Sequence, residues 1–175
     1  MIRAVILSAM LLASTAVVAQ SPYAGMQSRA ITSLSGQQLA DLKAGRGMGL
    51  ALPAELNGYP GPLHVLELSE KLELSAEQRT TMQAMFTAMK AEAIALGDRL
   101  IEQEAELDRL FASRAVTPAS LKAATAAVAA TQGALREAHL KYHLAAAEKL
   151  SAVQKQKYAE LRGYGAGHHP AHRHR

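Results

Sequence analysis

His139 and His143 are the two residues whose type and spacing most clearly permit chemistry. They lie four residues apart in a segment predicted to be helical, so both imidazole rings are on one face of the helix. Two neutral imidazoles in this arrangement can bind one divalent ion of zinc, nickel, cobalt or copper, but a closed site needs one or two further ligands. The alternative is a pair of half-exposed helix histidines that bind nothing.

The last residues of the chain are a second set of candidate metal ligands. Residues 167–175 contain four histidines, a composition associated with metal capture. A flexible segment loses conformational entropy when it binds, so this sequence favours loose scavenging of zinc, copper or nickel over selective sensing. The alternatives are a basic tail that protonates at low pH and a cloning tag, although tags are usually uninterrupted histidine runs. The four side chains are those of His168, His169, His172 and His174.

Methionines at helical spacing are a third candidate feature, which would bind proteins instead of metal. Met82, Met85 and Met89 recur on one face of a predicted helix. Methionine adapts to partners of different shape, so an exposed face of this kind can hold unfolded client proteins. The usual interpretation of such a stripe is packing in the core. The sequence does not identify which residues would contact a client.

The sequence contains no pattern typical of an active site. There is no cysteine to act as a nucleophile, and no serine, histidine and acid fall into a recognised arrangement. The residues between His139 and His143 are Leu140, Lys141 and Tyr142, so the glutamate of a zinc-protease helix is missing. We therefore do not expect an enzyme.

The first nineteen residues are typical of a cleaved signal peptide. Arg3 supplies the positive charge, residues 4–18 are mostly apolar, and residues 17–19 form a small-residue cleavage site. An uncleaved membrane anchor is the alternative, but the apolar run is short for a span of about 20 residues. Nothing later is long or apolar enough to span, so we expect export without stable membrane insertion.

The charge balance of the chain argues against a nucleic-acid partner. The formal net charge is +4, yet all 15 acidic residues and 15 of the 19 basic ones lie between residues 20 and 161. A body without a basic stripe does not suit a phosphate backbone. The absence of cysteine also means that stability must come from packing, without disulfides or thiolate metal sites.

Apolar periodicity and capping residues predict an all-α protein. A long helix without proline, a break at Thr117 and Pro118, and a second long helix indicate an antiparallel helical hairpin with short flanking helices. Glycines at residues 45, 47 and 49 lack the strand and the Lys-Ser/Thr ending of a phosphate loop, and we expect them to allow close backbone approach. The predicted helices span residues 35–44, 50–56, 63–72, 75–112, 118–147 and 151–162.

These elements divide the chain into four parts. Residues 1–19 are the signal peptide, 20–61 an N-terminal arm that wraps on the body, 62–162 the helical hairpin domain, and 163–175 a flexible His-rich tail. After removal of the signal peptide the chain is long enough for one domain but not comfortably for two.

The pentapeptide Leu-Ser-x-x-Gln occurs twice, beginning at Leu74 and at Leu150, each time at a predicted helix start. The Ser hydroxyl can accept a hydrogen bond from the first turn, and the Gln can reach back to the Ser amide. The repeated motif resembles that of the periplasmic LTxxQ family, which contains Spy/CpxP-like chaperones, heavy-metal sensors and zinc-resistance-associated proteins, although Ser here replaces Thr. The resemblance covers roughly residues 60–162.

This resemblance implies a periplasmic location, an elongated dimer, and metal ligands in two places. Sensor members take histidine ligands from the late helix, where His139 and His143 lie, and from the segment before the first motif, where His64 lies. His64 is one residue out of the family register, and Glu67 and Glu70 are nearby carboxylates that could complete a site or be ordinary solvated charges. A degraded site would bind metal more weakly or need a partner subunit.

Two functions from different classes follow. The first is a periplasmic protein that binds divalent metal (Zn, Ni, Co or Cu) and acts in heavy-metal sensing, buffering or the envelope stress response. The alternative is an ATP-independent holding chaperone of the Spy/CpxP type. Expected partners are a second copy of the chain, and either unfolded clients or an envelope regulatory protein.

Overall fold

A computed structural model describes residues 21–164, which are helical with no strand among them. The predicted all-α class is therefore confirmed for this part of the chain. A short 3₁₀ turn at Met26–Ser28 precedes six α-helices. They are α1 (Gly36–Lys43), α2 (Leu52–Glu55), α3 (Pro62–Glu67), α4 (Ala76–Ala112), α5 (Pro118–Glu148) and α6 (Ala152–Leu161).

Four of these helices begin where the sequence predicts, because each starts with a capping box. In α1, α4, α5 and α6 the N-cap side chain accepts a hydrogen bond from the amide three residues on. The side chain of that third residue in turn accepts a hydrogen bond from the N-cap amide. Pro118 occupies the first position of α5, where its missing N–H costs nothing. The N-caps are Ser35, Ser75, Thr117 and Ser151.

The two long helices, α4 and α5, pack against each other along their length. Lys141 Nζ, in the last third of α5, lies 2.6 Å from Glu92 Oε1, near the middle of α4. Gln78, in the first turn of α4, donates from Nε2 to the carbonyl of Lys149, just beyond the end of α5, at 2.8 Å. These contacts place the beginning of α4 beside the end of α5.

The two Leu-Ser-x-x-Gln motifs meet in space. The side-chain amides of Gln78 and Gln154 donate to each other's Oε1 at 3.0 Å. Gln154 Nε2 also donates to the carbonyl of Leu72, at 3.3 Å, so each glutamine reaches the chain segment that leads into the other motif. The repeated motif therefore caps two helices and joins their starting points.

Residues of the N-terminal arm contact the C-terminal half of α4. The amide of Thr32 donates to Asp108 Oδ2 at 2.8 Å, and Ser33 Oγ donates to Glu104 Oε2 at 2.8 Å. A Cβ added at Gly97 would lie 2.5 Å from the carbonyl oxygen of Leu42, so glycine lets the end of α1 rest directly on α4. The core here comprises Ile31, Leu34, Leu42, Ala93, Leu100, Val128 and Leu135.

The helix predicted for residues 63–72 is wrong in its extent, because α3 ends at Glu67. The chain then turns, with the amide of Leu74 donating to the carbonyl of Ser69 at 3.1 Å and Glu73 at a φ of +52°. The turn directs Leu72 and Leu74 into a second core, which a continuous helix would not allow. That core comprises Val65, Leu72, Leu74, Met82, Ala146, Leu150 and Tyr158.

None of the helices between residues 21 and 164 combines the length and the apolar character required to cross a membrane. The predicted signal peptide, residues 1–19, lies outside the described residues.

Candidate metal site

A cavity of about 600 Å³ lies between the glycine segment at residues 45–49, the start of α3, the first half of α4 and the last third of α5. All three histidines of the folded part, His64, His139 and His143, line it. They approach from two sides, His64 from α3 and the other two from α5. The three histidines of the described chain that the sequence suggests as metal ligands therefore line one cavity, although they do not lie close enough together to hold one ion as a group of three.

The α5 histidines are buried, so half-exposed surface histidines are the wrong description. His139 is 3% exposed and His143 is 6% exposed. Glycine makes room for one of the rings, since a Cβ at Gly61 would lie 2.6 Å from His143 Nε2. A Cβ at Gly47 would lie 3.8 Å from His139 Nδ1, which is an ordinary contact distance. Burial of two histidines at successive turns needs a specific reason, since a buried polar group is costly unless it has a partner.

His143 has a fixed ring orientation. Its Nδ1 lies 2.7 Å from the carbonyl oxygen of Tyr59, and a carbonyl only accepts, so the Nδ1 proton is donated there. Metal-binding histidines commonly donate their second ring N–H to a carbonyl or carboxylate in this manner. Nε2 is then the ring nitrogen that is left for another partner.

His64 is held in the same way by Glu55. Its Nδ1 lies 3.2 Å from Glu55 Oε1, so the proton on Nδ1 faces the carboxylate. Although His64 is out of the register that the family resemblance implies, it reaches the same cavity as His139 and His143.

Glu55 is the carboxylate at the centre of this cluster, and sequence reasoning missed it. Tyr158 OH donates to Oε1, the amide of Gly61 donates to Oε2 at 3.2 Å, and His143 Nδ1 lies 3.6 Å from Oε2. Burial raises the pKa of Glu55, but the hydrogen bonds from His64 and Tyr158 outweigh it and lower the pKa to about 2. Glu55 is therefore ionised at neutral pH.

One sequence signal could have identified this glutamate. It is the lone charged residue between residues 47 and 63, a stretch rich in leucine, glycine and proline. A single carboxylate in an apolar segment is seldom buried without partners. Its partners, however, come from α3, α5 and α6 and cannot be read from the local sequence.

Glu67 and Glu70, the carboxylates that the sequence places near His64, point elsewhere. Glu67 Oε2 lies 3.8 Å from Arg162 Nη1, and Glu70 Oε1 pairs with Arg79 Nη1 at 2.7 Å. Neither lines the cavity.

His139 carries a buried nitrogen without a partner. No described residue forms a hydrogen bond with its Nε2. Burial, reinforced by the nearby His143, lowers the pKa of His139, so the ring is neutral at pH 7 and retains a lone pair. An unsatisfied buried polar atom in a folded protein calls for an explanation, such as a bound water or ion.

The imidazoles of the cavity suit a divalent transition metal, but they are too few to form a complete coordination site. Neutral imidazoles suit zinc, copper and nickel. Within residues 21–164, however, no three histidine or acidic side chains are arranged to bind one ion. The tail histidines, His168, His169, His172 and His174, lie outside the described residues.

The glycine segment at residues 45–49 forms one wall of the cavity. Gly45 has a φ of +63°, and a Cβ there would lie 3.0 Å from the carbonyl oxygen of Lys90 on α4. The close backbone approach predicted for these glycines is confirmed at Gly45.

The methionine stripe belongs mainly to the core. Met82 is fully buried and Met89 is buried, whereas Met85 is half-buried. Met82 packs in the second core with Tyr158. Met82 and Met89 therefore do not offer a face to client proteins.

Comparison with known proteins gives one family. The family described as heavy-metal resistance matches residues 47–157, which include residues 47–49 of the glycine segment, all three cavity histidines, Glu55 and both Leu-Ser-x-x-Gln motifs. No curated protein and no solved structure matches this chain.

Proposed function

Because this chain belongs to the heavy-metal resistance family, the LTxxQ/CpxP-like zinc-resistance-associated proteins, we propose that it binds a divalent transition metal at the cavity of His64, His139 and His143. The family membership supports a role related to heavy-metal resistance. Within that role we propose metal sensing, buffering or an envelope stress response.

The observation that carries the proposal is the convergence of three imidazoles on one cavity. Their chemistry favours zinc, nickel, cobalt or copper over magnesium or calcium, which prefer oxygen ligands. His64 and His143 have Nδ1 anchored, and His139 has a buried Nε2 without a partner in the described chain. His139 and His143, four residues apart on α5, are the most natural pair to share one ion.

Zinc titration by calorimetry on the full mature chain tests the proposal. We expect submicromolar binding that His139→Gln weakens at least tenfold. This substitution breaks no hydrogen bond formed by His139 Nε2, because none is present in the described chain. Glu67→Gln is a suitable control, since Glu67 is a half-exposed carboxylate of the helix that carries His64 but does not line the cavity. Equal affinities for the wild type and His139→Gln would contradict a cavity site.

The location and assembly of the protein are further parts of the proposal. We propose a periplasmic protein, as the predicted signal peptide and the family resemblance imply, and a binding function without catalysis. We infer that α4 and α5 form the predicted antiparallel hairpin, which the Glu92–Lys141 and Gln78–Lys149 contacts support. We also propose a homodimer, for which sedimentation velocity of the mature chain is the test.

A chaperone function is the second candidate, and one surface favours it. Five large apolar side chains are exposed within residues 48–63, close to the cavity. Clustered exposed apolar residues commonly mark protein-binding surfaces. The five are Met48, Leu52, Leu56, Tyr59 and Leu63.

Suppression of client aggregation in the presence of a chelator tests this candidate. A chaperone predicts metal-independent suppression that is lost in Leu52→Gln with Leu56→Gln. Leu144→Gln is the control, because Leu144 is equally exposed but lies on α5. Suppression that is absent from the wild type, or unaffected by the double substitution, would eliminate this surface as a client site.

A further inference from the structure

We propose that the cavity prefers a soft monovalent ion, copper(I), because the thioether sulfurs of Met48 and Met89 bind it together with His139. The inference rests on the proposed metal binding and names the metal that this cavity selects. Thioether sulfur is a soft ligand that favours copper(I), whereas zinc is bound through cysteine, histidine and carboxylate side chains. Zinc then binds in the same place more weakly, through imidazole alone.

The nitrogen and oxygen ligands of the cavity are too few for an ordinary zinc site, which has three or four protein ligands. Within residues 21–164, no three histidine, aspartate or glutamate side chains are grouped to hold an ion. The carboxylate of Glu55 is already occupied by hydrogen bonds from Tyr158 and from the amide of Gly61. Because the chain has no cysteine, methionine is its remaining source of soft sulfur ligands.

His139 supplies the nitrogen ligand that the geometry leaves open. The residue is 3% exposed and lines the cavity, and no described residue forms a hydrogen bond with its Nε2. A buried polar atom without a partner points to a bound water or ion. Since imidazole suits copper as well as zinc or nickel, this ring alone does not select the metal.

Met89 lies at the same level of the helix pair as the α5 histidines. Glu92, about one helical turn after Met89, pairs with Lys141 at 2.6 Å. Lys141 is midway between His139 and His143. Met89 is 8% exposed and lines the cavity, yet it belongs to neither of the two apolar cores of the described chain. A buried methionine that shares a cavity with a buried imidazole is placed to act as a ligand.

Met48 follows the residue of the glycine segment that lies against His139. A Cβ at Gly47 would lie 3.8 Å from His139 Nδ1, so Met48 is one residue away from this contact. Met48 has a φ of +44°, a left-handed conformation that is unfavourable for any residue with a side chain. Its side chain is 42% exposed, so an ion from solvent can reach the sulfur. Metal binding would account for a methionine, instead of another glycine, at this strained position.

The charges on the cavity wall favour an ion of low charge. Among the described residues that line it, three are basic, Arg46, Lys90 and Arg162, and Glu55 is the one carboxylate. Arg46 pairs with Asp41, and Arg162 Nε lies 3.8 Å from Glu55 Oε1, so Lys90 contributes most of the remaining positive charge. Coulomb repulsion is proportional to the charge of the ion, so it opposes copper(I) about half as strongly as a divalent metal.

Paired titrations with copper(I) and zinc test the inference. The parent protein is the full mature chain with its tail histidines replaced by glutamine, so that the tail contributes to neither affinity. Copper(I) affinity is measured without oxygen, in competition with the chromophoric chelator bicinchoninate, and zinc affinity is measured by calorimetry. We expect the parent to bind copper(I) on the order of 100-fold more tightly than zinc. The tail replacements are His168→Gln, His169→Gln, His172→Gln and His174→Gln.

Replacement of the two methionines by leucine separates the two metals. Leucine keeps the volume of methionine and removes the sulfur, so Met48→Leu with Met89→Leu should weaken copper(I) binding at least about tenfold and leave zinc affinity unchanged. Met85→Leu is the matched control. Met85 is a half-buried methionine of the same helix as Met89, but it packs against the second core and does not line the cavity. This control should bind both metals as the parent does.

The other outcomes distinguish the thioether ligands from the cavity itself. Unchanged copper(I) affinity in the double methionine variant would overturn the inference, and so would copper(I) binding no tighter than zinc binding. Equal weakening of both metals would mean that the methionines only shape the cavity, which overturns it too. In each case the cavity remains a metal site if His139→Gln weakens zinc binding. A folded His139→Gln variant with unchanged affinity for both metals would overturn the proposed function as well.

X-ray absorption at the copper K-edge gives a readout that does not depend on affinity. We expect sulfur scattering around copper in the parent and less of it in Met48→Leu alone. Because Met48 is exposed, this single variant keeps its fold even if the double variant does not. A copper environment without sulfur in the parent, or one that Met48→Leu leaves unchanged, would overturn the inference.

Discussion

Glu55 shows how a single residue organises the candidate site. Side chains or amides from α3, α5, α6 and the turn before α3 surround its carboxylate, and they include two of the three cavity histidines. By accepting from His64 Nδ1 and lying near His143 Nδ1, it directs both Nε2 atoms away from itself. We regard it as a positioning residue that prepares the imidazoles for a metal.

Replacement of Glu55 tests this role. Glu55→Gln removes the ionised acceptor of a buried cluster, and we expect a loss of about 2–3 kcal/mol in the free energy of unfolding. Urea denaturation followed by circular dichroism measures it. Glu67→Gln, on an exposed carboxylate, should change stability by no more than about 0.5 kcal/mol. Similar effects of both substitutions would show that Glu55 does not hold the cluster together.

The pH dependence of stability tests the buried state of His139. Its folded pKa is lowered from the ordinary value of 6.5, so between the two values the unfolded chain binds more protons than the folded one. The His139 contribution is complete above about pH 6.5 and is lost as the pH falls through the folded pKa. Stability of the metal-free protein should therefore decline below pH 6.5, by up to about 1.4 kcal/mol per pH unit from this residue.

His139→Gln should flatten that decline. The comparison uses the free energy of unfolding at several pH values between 7.5 and 5.5, in the presence of a chelator. An identical slope in the variant and the wild type would mean that His139 is not held neutral by burial.

At the scale of elements, the paired Leu-Ser-x-x-Gln motifs explain why a glutamine closes both capping boxes. Gln38 caps α1 in the same way but meets no second glutamine, whereas Gln78 and Gln154 also bond to each other and to carbonyls across the helix pair. The extra bonds join the start of α4 to the start of α6. Glutamate at the third helical position would cap equally well but could not donate.

Alanine substitutions test this double role. We expect Gln38→Ala to cost about 1 kcal/mol, the value of a cap, and Gln78→Ala to cost about 2 kcal/mol because the inter-motif bonds are lost too. A double-mutant cycle of Gln78→Ala and Gln154→Ala, measured by urea denaturation, should give a coupling of at least about 0.5 kcal/mol. Strict additivity would contradict the pairing.

The sequence predicts the start or end of a helix when the contacts that determine it are made by neighbouring residues. The caps at Ser35, Ser75, Thr117 and Ser151 are local hydrogen-bond patterns, so the sequence predicts them. The end of α3 depends on Leu72 and Leu74 turning into a core formed by distant helices, which periodicity within the segment does not show. A short sequence motif predicts structure well only where its hydrogen-bond partners lie within the motif itself.

The site was less predictable than the fold for the same reason. The sequence indicates His64, His139 and His143, because histidine spacing and the family resemblance are visible in it. It does not indicate Glu55, or that Gly61 leaves space for His143, since these depend on an approach between segments about 80 residues apart. Burial of the α5 pair was therefore not foreseen.

At the scale of the whole molecule, the cavity lies where the N-terminal arm, α3, α5 and the segment after α6 come together. The N-terminal arm packs on the helices and also contributes to the candidate site, because its glycine segment lines the cavity. The family match begins at residue 47, within this segment. The start of the matched region thus contributes to the cavity.

The central claim is that a metal ion binds to the α5 histidines in this cavity. Nitrogen NMR of the histidine rings in the uniformly labelled mature chain, before and after one equivalent of zinc, tests it most directly. We expect the Nε2 resonances of His139 and His143 to shift to values typical of metal-bound imidazole. Shifts confined to His168, His169, His172 and His174, with those of the α5 pair unchanged, would contradict it.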